Sequence, residues 1–275
     1  MITQTLLAMD GPVGRDLAQF QPHCVVSDSL CFWGKLWAAK LACPYVCSTT
    51  TFAFDQETAR EMRPGPLEVF YTLVGLPQIG KRLLAGRGRI RRCMAQLCQS
   101  GYPVKGLLSL IENDGHTDTI VYTSREFQPL ADTFSSRYAF IGPSVPELTH
   151  APRSGGDRQI YISLGTVNNR SRSFYRACLE ALRSWEGVDV PPNVQVLPQV
   201  DQLAVLSQSD AFLSHCGMNS VSESLYLGVP LVLFPQQEEQ GMVARRVQEL
   251  GAGVPLPAPT PAAIHQALSL VLADP

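Results

Sequence analysis

The chain has 275 residues, 45% of them hydrophobic and 17% charged, with a formal net charge of −2. This is the composition of an ordinary globular protein with room for two cored lobes, and it excludes a disordered chain or a general attraction to nucleic acid. No long uncharged apolar run predicts a transmembrane helix, and Met1 to Gly14 lacks the basic flank and apolar core of a signal peptide.

Eight cysteines carry no paired CxxC spacing, and several sit in apolar runs, where the residue acts as a small hydrophobe. Free thiols in a reducing cytoplasm are expected, rather than a disulfide framework or a zinc site. In chain order, His23 to Ser27 reads as a buried strand ending at Asp28, Phe32 to Leu41 as a helix, and Pro44 to Ser48 as a second strand. That rhythm predicts a doubly wound α/β sheet, with Asp28 at the carboxyl end of its strand, where such sheets bind ligands. Residues 60 to 110 are irregular and partly helical. Lys81 to Arg92 holds six basic residues and no acid, read as a solvated helix face before a patch for an acidic partner. Further strands are expected at Asp118 to Ser124 and Tyr138 to Ile141.

Gly142 to Asp157 is rich in Pro, Ser and Gly, the composition of an interlobe linker. We place a first lobe at 1–145, a linker at 146–157 and a second lobe at 158–275. In the second lobe strands are expected at 159–164, 194–197, 211–214 and 230–234. Helices are expected at 173–183, 201–206, 219–227, 239–250 and 260–272.

The segment Ser214 to Gly253 carries the chemistry. A strand delivers His215 to a turn containing Gly217, and Asn219 and Ser220 open a helix. Glycine at 217 admits close approach of a ligand to the backbone. The first N–H groups of a helix favour an anion, most naturally a diphosphate, and His215 can add a donor. Glu223, one turn beyond Asn219, can accept hydrogen bonds from a ribose diol.

HCGMNSVSE, then GVPLVLFP, then EEQ resembles the donor-binding signature of the UDP-glycosyltransferase superfamily, in particular its bacterial macrolide-type (MGT) branch. The resemblance implies an α/β fold of the GT-B type, two Rossmann-like lobes with parallel sheets. The C-terminal lobe then holds a UDP-sugar and the N-terminal lobe a small hydrophobic acceptor bearing a hydroxyl. It also implies that His215, Gly217, Asn219 and Ser220 cradle the diphosphate, that Glu223 binds ribose, and that Glu239 and Gln240 bind the sugar. Gln202 matches a residue near the base, and Thr166 the turn after Tyr161 to Leu164. Many relatives stack an aromatic residue on uracil where this chain has Gln199.

VVSDSLCFWG and CPYVCSTTTFAF resemble the family's N-lobe, where Asp28 matches a carboxylate that orients a catalytic histidine; capping of the next helix is the other reading of Asp28. The base itself is expected in a Gly-His-x-x-Pro loop, and none of the five histidines (23, 116, 150, 215, 265) stands in one. The N-lobe is therefore expected to be incomplete. A second gap is expected after helix 173–183, where relatives place another strand. The implied activity is an inverting, metal-independent transfer of a hexose, from UDP-glucose, with no cofactor. The rivals are a non-catalytic nucleotide-sugar-binding remnant and, third, an epimerase of the same fold.

Overall fold

Short β-branched and apolar runs build the frame of each half of the chain. The computed structural model describes residues 2–54, 88, 91–103, 117–146, 157–182 and 193–273, and contacts divide it into two units, Met1–Gly142 and Pro143–Pro275.

The first unit opens with helices α1 (Ile2–Asp10) and α2 (Pro12–Phe20), then β1 (Val25–Asp28), α3 (Phe32–Lys40), β2 (Tyr45–Thr49), β3 (Asp118–Val121) and β4 (Tyr138–Phe140). The strands form one parallel sheet in the order β1-β2-β3-β4. Periodicity did not single out α1 and α2. Pro12 starts α2, where a missing N–H costs nothing, and Gln21 ends it in a left-handed conformation. Leu7, Met9, Val13 and Leu17 pack on a cluster of Leu36, Trp37, Leu97 and Tyr102. Within it Trp37 Nε1 donates to Tyr102 Oη at 2.9 Å, the Tyr102 hydroxyl donates to Asp10, and Lys40 Nζ closes on Asp10 at 2.8 Å. The helical stretch 91–99 supplies Leu97, and most of the basic run at 81–92 lies outside the described residues.

The second unit runs β5 (Ile160–Ser163), α4 (Arg172–Ala181), α5 (Gln202–Leu206), β6 (Ala211–Ser214), α6 (Met218–Tyr226), β7 (Leu231–Leu233), α7 (Glu238–Glu249), β8 (Gly253–Pro255) and α8 (Pro261–Ala273). Its parallel sheet has the order β5-β6-β7-β8. Alternation along the strands divides the core. Ala211, Leu213 and Val232 face Phe174, Ala177 and Cys178 of α4 and Ile264, Leu268 and Val271 of α8. Phe212, Leu231 and Leu233, equally buried, point to the other face.

Most expected elements stand within two residues of their predicted ends. Two differ. The strand expected at Val194 to Leu197 is not formed, and Val196 and Leu197 are 69% and 60% exposed. A strand needs a ladder partner, and among the described residues β5 pairs with β6 alone. Conversely β8 was not expected: three residues carry too little pattern, and pairing with β7 makes the strand. No helix among the described residues is long and apolar enough to cross a membrane.

In the first unit α3 lies very close to β1. A Cβ built at Gly34 would fall 2.2 Å from Ser27 Oγ and 2.4 Å from Ser27 Cβ. Gly34→Ala should therefore destabilise the protein by about 1–3 kcal/mol in urea unfolding. Ser27→Gly should restore part of that loss, and Ser27→Ala, which removes Oγ but keeps the Cβ at 2.4 Å, should restore less.

Candidate functional site

In the second unit the register Ser163↔Ser214 carries two chain reversals to the same end of the sheet. After β5 comes Gly165, at φ +75°; after β6 come His215, Cys216 and Gly217. The His215 ring lies between the two glycines. A Cβ at Gly165 would approach its Cε1 to 2.5 Å, and one at Gly217 its Nε2 to 2.7 Å. The space that the sequence reading gave to a ligand at Gly217 is thus taken by His215 itself. The left-handed residue of the turn is Cys216, at φ +66°, whose N–H is held by Ser214 Oγ at 3.1 Å.

His215 Nδ1 is buried and, alone among such side-chain nitrogens and oxygens of the described residues, has no hydrogen-bond partner. Burial lowers the imidazole pKa, with the nearby Ser163 backbone pulling weakly the other way. Directly beyond it α6 begins, with Gly217 as N-cap and no side-chain cap. Asn219, expected as an N-terminal residue, therefore lies inside the first turn, exposed, and Ser220 is buried behind it. An uncapped helix start next to a glycine-flanked imidazole is a site that favours an anion.

One turn on, Glu223 is half-buried and held. Gln202 Nε2 donates to Glu223 Oε2 at 2.5 Å and to Ser220 Oγ at 3.1 Å. Gln202 opens α5, whose N-cap Asp201 accepts from Ala204 N at 3.2 Å. At the start of α7, burial raises the Glu239 pKa. Gln240 is buried, and its Oε1 accepts from Gln236 N at 2.9 Å, which fixes the loop after β7. Thr166 is exposed in the turn that follows Gly165. Gln199 is likewise exposed.

In the first unit, Asp28 ends β1 opposite Ser48. Its Oδ1 accepts from Leu30 N at 2.8 Å and its Oδ2 from Thr50 Oγ1 at 3.3 Å. It does not cap α3, whose N-cap is Cys31 without a side-chain bond. Two residues that pattern reading passed over hold this corner. Thr50 contacts the carboxylate directly. Gln128, 1% exposed, accepts from Ala53 N at 2.9 Å and donates to Ala53 O at 3.2 Å and Pro129 O at 3.0 Å. It thereby ties the loop after β2 to the loop after β3. A lone Gln in a loop carries no periodicity, so no sequence signal marks it.

The folded His215 site refuses a proton that the unfolded chain accepts near the ordinary value of about 6.5. The unfolded state then binds more protons, and stability falls as pH drops below about 6.5. Urea midpoints between about pH 7.5 and 5 should show wild type losing stability relative to His215→Gln over that window.

Residues 178–275 match the family model for the C-terminal domain of erythromycin biosynthesis protein CIII-like proteins. The chain is 33% identical over 258 residues to the uncharacterized UDP-glucosyltransferase YojK of Bacillus subtilis, covering 83% of this chain and 59% of that protein. It is 30% identical over 258 residues to the demethyllactenocin mycarosyltransferase of Streptomyces fradiae, covering 86% of this chain and 53% of that protein. The chain thus spans somewhat more than half the length of these curated relatives. Among solved structures, the glycotransferase of kitacinnamycin superposes with a TM-score of 0.79 at 25% identity, over 100% of this chain and 74% of that one. With two parallel α/β sheets, a glycine-flanked histidine at a helix start and these relatives, the chain belongs to the UDP-glycosyltransferase superfamily, in its bacterial macrolide-type branch.

Proposed function

We propose that the protein is a glycosyltransferase that moves a hexose from a UDP-sugar, UDP-glucose, to a hydroxyl of a small hydrophobic acceptor. The observation that carries this reading is the His215 cradle: an imidazole packed between Gly165 and Gly217, beside an uncapped helix start. Transfer must stabilise the charge of a departing diphosphate, and a free helix start with an imidazole beside it suits that task. Gly217, Asn219 and Ser220 would offer backbone N–H groups to it, and Thr166 a hydroxyl from the turn after β5. A cradle of N–H groups and an imidazole stabilises the leaving group without calling on a metal ion. Glu223 accepts the ribose diol, and Glu239 and Gln240 take the hydroxyls of the sugar. The name of the Bacillus subtilis relative supports UDP-glucose as donor.

Inversion needs a base on the acceptor hydroxyl and an in-line approach. Asp28, oriented by Leu30 and Thr50, is the carboxylate that would hold a basic imidazole in register. In the sequence, the apolar and aromatic residues between Phe52 and Leu110, most of them outside the described residues, suit a hydrophobic acceptor, and free cysteines suit a cytoplasmic enzyme. A second reading, nucleotide-sugar binding without transfer, rests on the sequence: no histidine here stands in a Gly-His-x-x-Pro loop.

Calorimetric titration with UDP tests the donor site. Wild type should bind, and His215→Ala and Glu223→Ala should each lose about 1–3 kcal/mol, the scale of a lost hydrogen bond to a charged or buried group. A folded wild type that takes up no UDP would overturn the reading.

A further inference from the structure

Gln202 is enclosed by three partners. Its Nε2 faces Ser220 Oγ at 3.1 Å and Glu223 Oε2 at 2.5 Å, and its Oε1 accepts from Tyr161 Oη at 3.5 Å. A primary amide has two N–H donors, and here both are engaged. That leaves none for the edge of a base. An amide also has a direction. With the phenol hydroxyl donating to its oxygen, the nitrogen end is turned to the carboxylate; the flipped amide would set oxygen against oxygen at Glu223.

Tyr161 is a rigid anchor for this arrangement. It lies on β5 in register with Phe212 of β6, and the two rings stack with centroids 4.7 Å apart at 21°. Phe212 is fully buried. The hydroxyl is thus fixed to the sheet, and its hydrogen bond carries that fixity through Gln202 to a carboxylate on α6. A carboxylate held in one rotamer before its ligand arrives loses less freedom on binding.

We infer that Tyr161 is a positioning residue for recognition of the ribose diol, acting through Gln202, whose amide aims the Glu223 carboxylate. The inference rests on the proposal that Glu223 receives that diol. The role is specific: a nucleotide without the two hydroxyls gains nothing from an aimed carboxylate.

The test is calorimetric titration of the 275-residue chain with UDP and with 2′,3′-dideoxy-UDP. Tyr161→Phe keeps the ring and its stack on Phe212; Gln202→Met keeps the bulk of the side chain. Tyr161→Phe should weaken UDP about threefold and Gln202→Met about tenfold, the span of one hydrogen bond's net contribution, with the dideoxy nucleotide unchanged. A Tyr161→Phe variant that weakens both nucleotides alike, or neither, overturns the positioning role. Glu223→Gln separates the two levels. If it lowers the preference for UDP over the dideoxy form while Tyr161→Phe does not, the ribose reading stands and the inference fails. If Glu223→Gln leaves that preference at the wild-type value, or folded wild type binds neither nucleotide, the ribose reading fails and takes the inference with it.

Discussion

The parallel register of β5 and β6 is the constraint from which the site follows. Parallel strands end on the same side, so pairing Ser163 with Ser214 sets the reversal at Gly165 beside the reversal at Cys216. Only then can one imidazole lie against two backbones. The approach is so tight that neither flanking position tolerates a Cβ. The same register places Tyr161 on Phe212, two residues earlier on the same face, and so leads to Gln202 and Glu223. Cradle and carboxylate are two consequences of one ladder. A slip of one residue would turn both to the opposite face.

The first unit repeats the device with different chemistry. Asp28 ends β1 opposite Ser48 of β2, and the chain running on from β2 brings Thr50 back to its carboxylate. The loop cannot hold that position alone, since its N–H and C=O groups have left the ladder. Gln128 supplies the missing partners by bonding both the N–H and the C=O of Ala53 from the loop after β3. Phe52 and Phe127, with ring centroids 5.5 Å apart, exclude water from the junction. In each unit an amide side chain braces the site: Gln202 bonds Glu223 directly, and Gln128 ties down the loop that follows Thr50.

Elements with repeated apolar pattern were legible from the sequence, because burial on one face is what the pattern records. Strands β1 to β7 and helices α3 to α8 belong here. Elements made by their partners were not. β8 exists through its pairing with β7, and Val194 to Leu197 has strand composition without a described neighbour to pair with. α1 and α2 were missed for a related reason: α2 buries no residue fully, and its support is a mixed cluster closed by Asp10, Lys40, Trp37 and Tyr102. Site residues divide the same way. His215, Gly217 and Glu223 are marked by fixed spacing around a helix start. Thr50, Gln128 and Tyr161 act by reaching across the fold, and a side chain's reach leaves no period in the sequence.

Cys216 shows where local preference yields to the site. A left-handed φ suits glycine, and the glycine of this turn stands one position later, at an ordinary φ of −65°. A non-glycine residue held at positive φ costs on the order of 1 kcal/mol or more. The cost is offset locally: Ser214 Oγ takes the Cys216 N–H, and the small side chain is fully buried. Burial also pushes the thiol pKa up to about 12, so the sulfur stays neutral and adds no negative charge beside a site that favours anions. Exchanging the two residues would ease the backbone at 216 but put a Cβ at 217, 2.7 Å from the imidazole Nε2. The order Cys-Gly is therefore set by the histidine's need for space, and the strained φ is its consequence.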